Sequence, residues 1–265
     1  MFGVEIGKAV HRLRTWVFAA GLAMVAALPV IVLRLAHGTG QGGGAFFEDT
    51  IHDGLFASVA AVGLVQPFFL PLGTGLLAGE AIAAESSNGT LRYLLVRPVT
   101  RSRLVLAKYG SVMAQVGLAV LWVMVVGLVT GWIGFGIRPL ATLSGQTIGV
   151  GAALVRIVAT GGYVLAGVAG LAAIGVLLST LTDSGIGAAA VTLSVAIASQ
   201  IVDNLSTFHA IHPYLPTHGW LAYTDLFRVP VAWDAIVHGL LVDVVYTAVF
   251  LAAALFAFGR RDVHS

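Results

Sequence analysis

The sequence predicts an all-α membrane protein of six transmembrane helices, and three observations lead there. Of 265 residues, 58% are hydrophobic and only 10% are charged, against about 25% charged in soluble domains. Too little polar surface remains to cover a water-soluble particle of this size. The apolar residues gather into runs near the roughly 20 residues that cross a bilayer as a helix. No run shows the alternation of a barrel strand, and backbone groups in lipid must be satisfied internally, so the spans read as helices.

The elements follow in order along one domain, 1–265. Residues 1–15 precede the first span. There "FGVEIGKAVHRLR" sets Phe2, Ile6, Ala9, Val10 and Leu13 near one helical face, with Glu5, Lys8, Arg12 and Arg14 mostly opposite. A short basic amphipathic helix of this kind lies in the membrane interface. The first span, 16–36, is too long for a signal-peptide core, and "AHGTGQ" after it is a poor cleavage site, so it reads as retained. The glycine-rich "GTGQGGG" at 38–44 is a flexible connector. Further spans are expected at 55–79, 109–136, 154–181, 185–207 and 235–259. Only "TDS" at 182–184 separates the fourth from the fifth, which makes a tight helical hairpin.

Residues 203–234 are neither a full span nor a hydrophilic domain. Pro213, Pro216 and Pro230 break them into pieces, and Phe208, Tyr214, Trp220, Tyr223, Phe227 and Trp233 suggest short interfacial or re-entrant helices at headgroup depth.

Orientation follows from the cations. With the N-terminus inside, the cytoplasmic side holds Lys8, Arg12, Arg14, Arg92, Arg97, Arg101, Arg103, Lys108, Arg260 and Arg261. The outer side holds Arg34, Arg138, Arg156 and Arg228. The positive-inside rule therefore puts both termini in the cytoplasm.

Several function classes are disfavoured. There is no cysteine, so disulfides, thiolate metal sites and cysteine nucleophiles are excluded. The cations flank apolar spans and form no continuous stripe, which argues against a nucleic-acid partner. No GxxxxGK[ST] phosphate loop occurs; "GVEIGKA" at 3–9 has the wrong spacing and no hydroxyl after Lys8. No HExxH and no triad pattern is present. Six of the eight histidines fall on the outer side, and His209 and His212 are spaced to share one helical turn. No carboxylate or thiolate is fixed beside them in sequence, so no metal site is expected.

The most informative stretch is "GEAIAAESSNGTLRYLLVRPVTRSRLVLAK", residues 79–108, on the cytoplasmic side between spans two and three. Gly79 to Ser87 continue span two and carry Glu80 and Glu85 below the membrane. Asn88 and Gly89 tolerate left-handed backbone angles and end that helix. Thr90 is placed to cap a short helix over "LRYLLV", which Pro98 stops. Thr100 or Ser102 is placed to cap "RLVLAK", which returns to span three. The product is a short transverse helix with Leu91, Leu94 and Leu95 on one side. A loop that only fixed topology would not need such a helix; this one is suited to dock into a groove.

These residues carry a resemblance. "E-x4-E-x3-GTLRYLLVRPVTRSRLVLAK" resembles the first cytoplasmic loop of ABC-2 type exporter permeases. There an acidic helix end precedes Gly-Thr-Leu, an apolar turn, Pro-x-x-Arg and a Lys opening the third span. Glu85, Gly89, Thr90, Leu91, Leu95, Pro98, Arg101 and Lys108 match position by position. About 30 residues match closely, and the six spans, the N-terminal amphipathic helix and the broken segment before the last span extend the likeness. The resemblance implies that the short helix is a coupling helix seated on an ATPase dimer. Glu80 and Glu85 would then pair with Arg92, Arg97 or that partner. It also implies a second permease subunit, identical or related. ATP and Mg would be bound by the separate ATPase, with no cofactor in this chain. Export of an amphiphilic, lipid-like or drug-like substrate across a bacterial or archaeal cytoplasmic membrane is the implied activity.

Polar groups at membrane depth are the remaining candidates. Gln66 lies in span two, where Pro67 and Pro71 are expected to bend the helix and free carbonyls. Gln115 lies in span three and Gln200 in span five, with Ser194 and Ser199 nearby. Each lines a substrate path or merely bonds helices together. Asp243 stands alone in the last span, expected to pair with Arg156, Arg228 or His238. The glycine pairs in "GLLAG" (75–79) and "GLVTG" (127–131) permit close helix approach, within one subunit or across a dimer seam. An ion-coupled secondary transporter would show repeat symmetry and interrupted helices, but only the outer segment reads as interrupted here. A permease that transmits mechanical work without bulk transport would look the same in sequence.

Overall fold

A computed structural model describes residues 13–39, 54–87 and 100–260. Residues 1–12, which hold most of the expected interfacial helix, lie outside the described residues, as does most of the glycine-rich connector. Helix α1 runs unbroken over Leu13–Thr39. Two helices, α2 (Phe56–Val65) and α3 (Phe69–Ser87), follow. Helix α4 spans Arg101–Phe135, and a small antiparallel hairpin of β1 (Leu140–Ala141) and β2 (Thr147–Ile148) leads on from it. Next come α5 (Val150–Gly167), α6 (Ala169–Leu181) and α7 (Gly185–Asp203). Two 3-10 segments, Ser206–Tyr214 and His218–Phe227, precede the last helix, α8 (Trp233–Arg260).

Among the described residues, five helical stretches are long and apolar enough to cross a membrane. The bent pair α2–α3 makes a sixth. Alternate ends meet as six passes require. Gly54 N donates to Gly136 O at one face, and Arg101 Nη1 donates to Gly259 O (3.2 Å) at the other. Helix α4 is longer than its sequence window. Its 35 residues extend about 52 Å at 1.5 Å per residue, against a hydrocarbon core of about 30 Å. The helix therefore exceeds that core by about 20 Å.

Span two bends where its prolines were expected to bend it, and span four carries a one-residue break that the sequence did not show. Helices α2 and α3 meet at 57° across Gln66–Phe68. Pro67 lies in that bend, and Pro71, in the first turn of α3, acts on the same place because a proline disrupts the turn before it. The absent N–H of Pro71 leaves the Pro67 carbonyl without a helical donor, and Gln200 Nε2 supplies one at 2.9 Å. The second interruption is Val168 (φ −98°, ψ −2°), which separates α5 from α6 within one span of 32 residues.

That fourth span is the axis of the bundle. In its most apolar window 67% of residues are buried, against 11% in the corresponding window of α8. Helix α6 packs against α3, α7 and α8, and α3 packs along α7. Both glycine pairs serve contacts inside this one chain. A Cβ on Gly79 would lie 2.6 Å from Ala189 N and 2.7 Å from Gly185 O of α7. One on Gly131 would strike the Gly54 carbonyl just before α2. The backbones approach because neither side has a side chain to hold them apart.

The aromatic outer segment divides in a way its composition did not reveal. Trp220, Tyr223 and Phe227 are buried in the core, while Phe208, Tyr214 and Trp233 remain exposed. The first three therefore face the protein and not its surroundings. The second 3-10 segment turns its inward edge onto α5 and α8.

Candidate functional site

Two regions concentrate polar chemistry. The first is the face carrying the loop. Gly89, Thr90, Leu91, Arg92, Leu94, Leu95 and Pro98 lie outside the described residues. What is described is how the loop is tied in at both ends.

On the α3 side, the buried hydroxyl of Ser179 in α6 is inserted into the ladder of α3. It donates to Gly79 O (2.7 Å) and accepts from Ile82 N (3.0 Å) and Ala83 N (2.9 Å). Glu80 is half-buried next to Gly185 at the start of α7, its Cγ 3.1 Å from where a Cβ on Gly185 would stand. Glu85 falls in the last turn of α3. Helix α7 is capped by Ser184, whose Oγ accepts from Gly187 N at 3.0 Å.

On the α4 side, Thr100 holds the N-cap position in extended backbone, but its hydroxyl makes no capping bond, and Ser102 is already helical. Arg101 Nη1 donates to Phe258 O (3.4 Å) and Gly259 O (3.2 Å). A guanidinium there faces the negative end of the α8 dipole. Lys108 is part-buried in the second turn of α4.

The second region is a buried junction in the opposite half. Gln66, fully buried at the elbow of span two, donates through Nε2 to Trp220 O at 2.9 Å. Trp220 Nε1 donates to Gly167 O at 2.9 Å, beside the interruption at Val168. One residue of the outer segment thereby bridges the breaks in two spans. Tyr163 Oη donates to Gly219 O (2.7 Å), where Gly219 and Gly239 bring the outer segment against α8. Ser199 and Thr217 share a hydroxyl bond of 2.7 Å across α7 and the same segment. Burial pushes the Tyr223 phenol up to about 12. Two side-chain atoms of span two, Gln66 Oε1 and Thr74 Oγ1, are buried without a hydrogen-bond partner among the described residues.

The sequence candidates separate here. Gln66, Pro67 and Gln200 come together at the elbow, with Pro71 just below. Gln115 does not join them; its Nε2 turns back to Ser111 O (3.3 Å) within α4. Ser194 is exposed and bonded to Ala190 O (2.9 Å) on the outward face of α7. Asp243 is buried, but not as an ion pair with the expected cations. Arg228 pairs with Asp225 (2.6 Å), Arg156 donates to Arg228 O (3.2 Å), and His238 meets Pro213 O (2.8 Å). On the outer face Asp203 Oδ1 contacts His218 Nδ1 (2.6 Å), with His212 Nδ1 at 3.9 Å.

Sequence reasoning missed Ser179, Tyr163, Gly167 and the inward role of Trp220. A lone hydroxyl or glycine in an apolar run carries no pattern until its partner helix is known. Trp220 alone carried a signal, as an aromatic beside glycine in a proline-broken segment.

A bundle of apolar spans, two of them interrupted around a buried polar junction, defines a multi-pass helical membrane protein. Residues 2–199 match the sequence model of the family described as ABC-2 family transporter protein. The chain belongs to that family, which implies an ABC permease, a transporter's membrane subunit in place of an enzyme. Such permeases generally work with an ABC ATPase partner. Comparison with curated proteins finds no match.

Proposed function

We propose that this chain is the transmembrane permease subunit of an ATP-driven exporter. A separate ATPase dimer binds ATP and Mg, and its closure moves the helix expected over Leu91–Leu95. A second permease subunit, identical or related, completes the translocation path. The substrate is amphiphilic, lipid-like or drug-like. The protein sits in a bacterial or archaeal cytoplasmic membrane with both termini inside.

The observation that carries this reading is family membership across residues 2–199, a range that includes the loop with the coupling-helix pattern. Two contacts support it mechanically. Ser179 ties the helix entering the loop to α6, and Arg101 ties the helix leaving it to the end of α8. A push on the loop would thus reach the central span and the last span without slack.

The test is copurification with the cognate ATPase. The double substitution Leu91→Asp and Leu95→Asp is expected to abolish assembly while the permease still folds in detergent. Unchanged assembly and ATP-dependent activity in that variant would sink the coupling-helix assignment.

A further inference from the structure

Asp243 is only 6% exposed, at membrane depth in α8. Among the described residues no hydrogen bond or ion pair holds its carboxylate, the nearby cations being engaged elsewhere. What it faces is specific. Around the point where a side chain on Gly167 would begin, Trp220 Cδ1 lies at 3.3 Å, Nε1 at 3.6 Å and Asp243 Oδ2 at 3.7 Å. Glycine thus leaves room that the indole fills, directly beside the acid.

We propose that Asp243, Gly167 and Trp220 form a binding site for the ammonium group of a lipophilic organic cation, which takes the place of the Trp220 indole. This rests on the permease reading and narrows its substrate class.

A carboxylate inside a bilayer is costly and needs a positive partner to be useful. Among the described residues none is paired with it, and a partner from outside would fill that role. A hard metal ion wants about six oxygens or more. The Asp243 carboxylate with Gly167 O and Tyr163 Oη offers fewer oxygens than that, even with the indole withdrawn. One carboxylate near Tyr163, in the space the indole vacates, suits a singly charged organic ammonium instead, whose apolar remainder stays in an apolar surrounding. Access also has a route. Gly239, one turn before Asp243, meets Gly219 of the outer segment, so lifting that segment uncovers the acid and withdraws the indole together.

Full-length permease in lipid nanodiscs is titrated with benzyltrimethylammonium and with its uncharged carbon isostere, neopentylbenzene, following thermal unfolding. Saturable stabilisation by the cation alone is expected. Asp243→Asn should weaken that binding by about tenfold or more, since it removes the buried charge partner. Trp220→Phe, which deletes the indole N–H bond to Gly167 while keeping an aromatic face, should tighten it about threefold. If Asp243→Asn does not fold, the isostere pair and Trp220→Phe decide. Equal binding of the isostere, no saturable binding, an unchanged Asp243→Asn affinity or a weaker Trp220→Phe affinity overturns the proposal. None of these measurements involves the ATPase, so their failure leaves the coupling-helix test untouched, and the reverse also holds.

Discussion

Gly79→Ala is the sharpest probe of how the bundle is held. The added methyl would lie 2.6 Å from Ala189 N, 2.7 Å from Gly185 O and 3.0 Å from Ala189 Cα. All three are backbone atoms of α7, so no rotamer can yield. Ordinary contact begins near 3.4 Å, and the helices must therefore separate by 3.4 − 2.6 = 0.8 Å at that point. Forced separation of a packed interface costs about 1–3 kcal/mol. Replacing a helical glycine recovers about 0.5–1 kcal/mol of backbone entropy. The net expectation is destabilisation by up to about 2.5 kcal/mol, and by about 1–3 kcal/mol relative to a glycine replacement that meets no clash.

Gly21→Ala is the matched control, because nothing lies within 4 Å of a Cβ there. It gains the same propensity term without the clash and should be neutral or slightly stabilising. The assay is reversible unfolding of the purified protein in mixed micelles, both variants against wild type. A Gly79→Ala protein as stable as Gly21→Ala would refute the close approach of α3 and α7.

Two further outcomes follow from single contacts. Ser179→Ala removes the donor to Gly79 O and the acceptor for Ile82 and Ala83 N–H; it should cost about 1–3 kcal/mol and speed hydrogen exchange selectively at those two amides. Unchanged exchange there would mean that α3 closes its own ladder without the serine. Burial raises the Tyr223 phenol from 10.0 to about 12, so its neutral form is favoured in the folded state. The stability tied to it is fully present below pH 10 and is lost as pH rises through about 12. Alkaline unfolding of Tyr223→Phe should lack that component, and an identical alkaline profile would refute the buried placement.

Much of the fold was legible in the sequence because lipid imposes a one-dimensional rule. Length and apolarity define a span, which is why windows such as 16–36 and 235–259 fall on α1 and α8. The class of protein was legible for a related reason: "GTLRYLLVRP" and its flanking acids form a local pattern, and local patterns survive in a linear text.

What the text did not carry is partnership between distant residues. Gln66 and Gln200 stood out as polar, yet only packing decided that one holds the outer segment and the other the carbonyl orphaned by Pro71. Gln115 and Ser194 looked equivalent to them and bond only within their own helices.

By itself, then, the sequence determined a multi-pass helical membrane protein, because hydrophobic length and backbone satisfaction are properties of each segment alone, and its loop resemblance named the permease class. Only the tertiary structure decided that Trp220 turns inward to bridge two broken spans and that Asp243 stands beside it away from the arginines. Both outcomes depend on glycines, at 167, 219 and 239, whose missing side chains let distant segments touch. An absent side chain leaves no mark on hydropathy, and its meaning appears only when the neighbour that fills the space is in place.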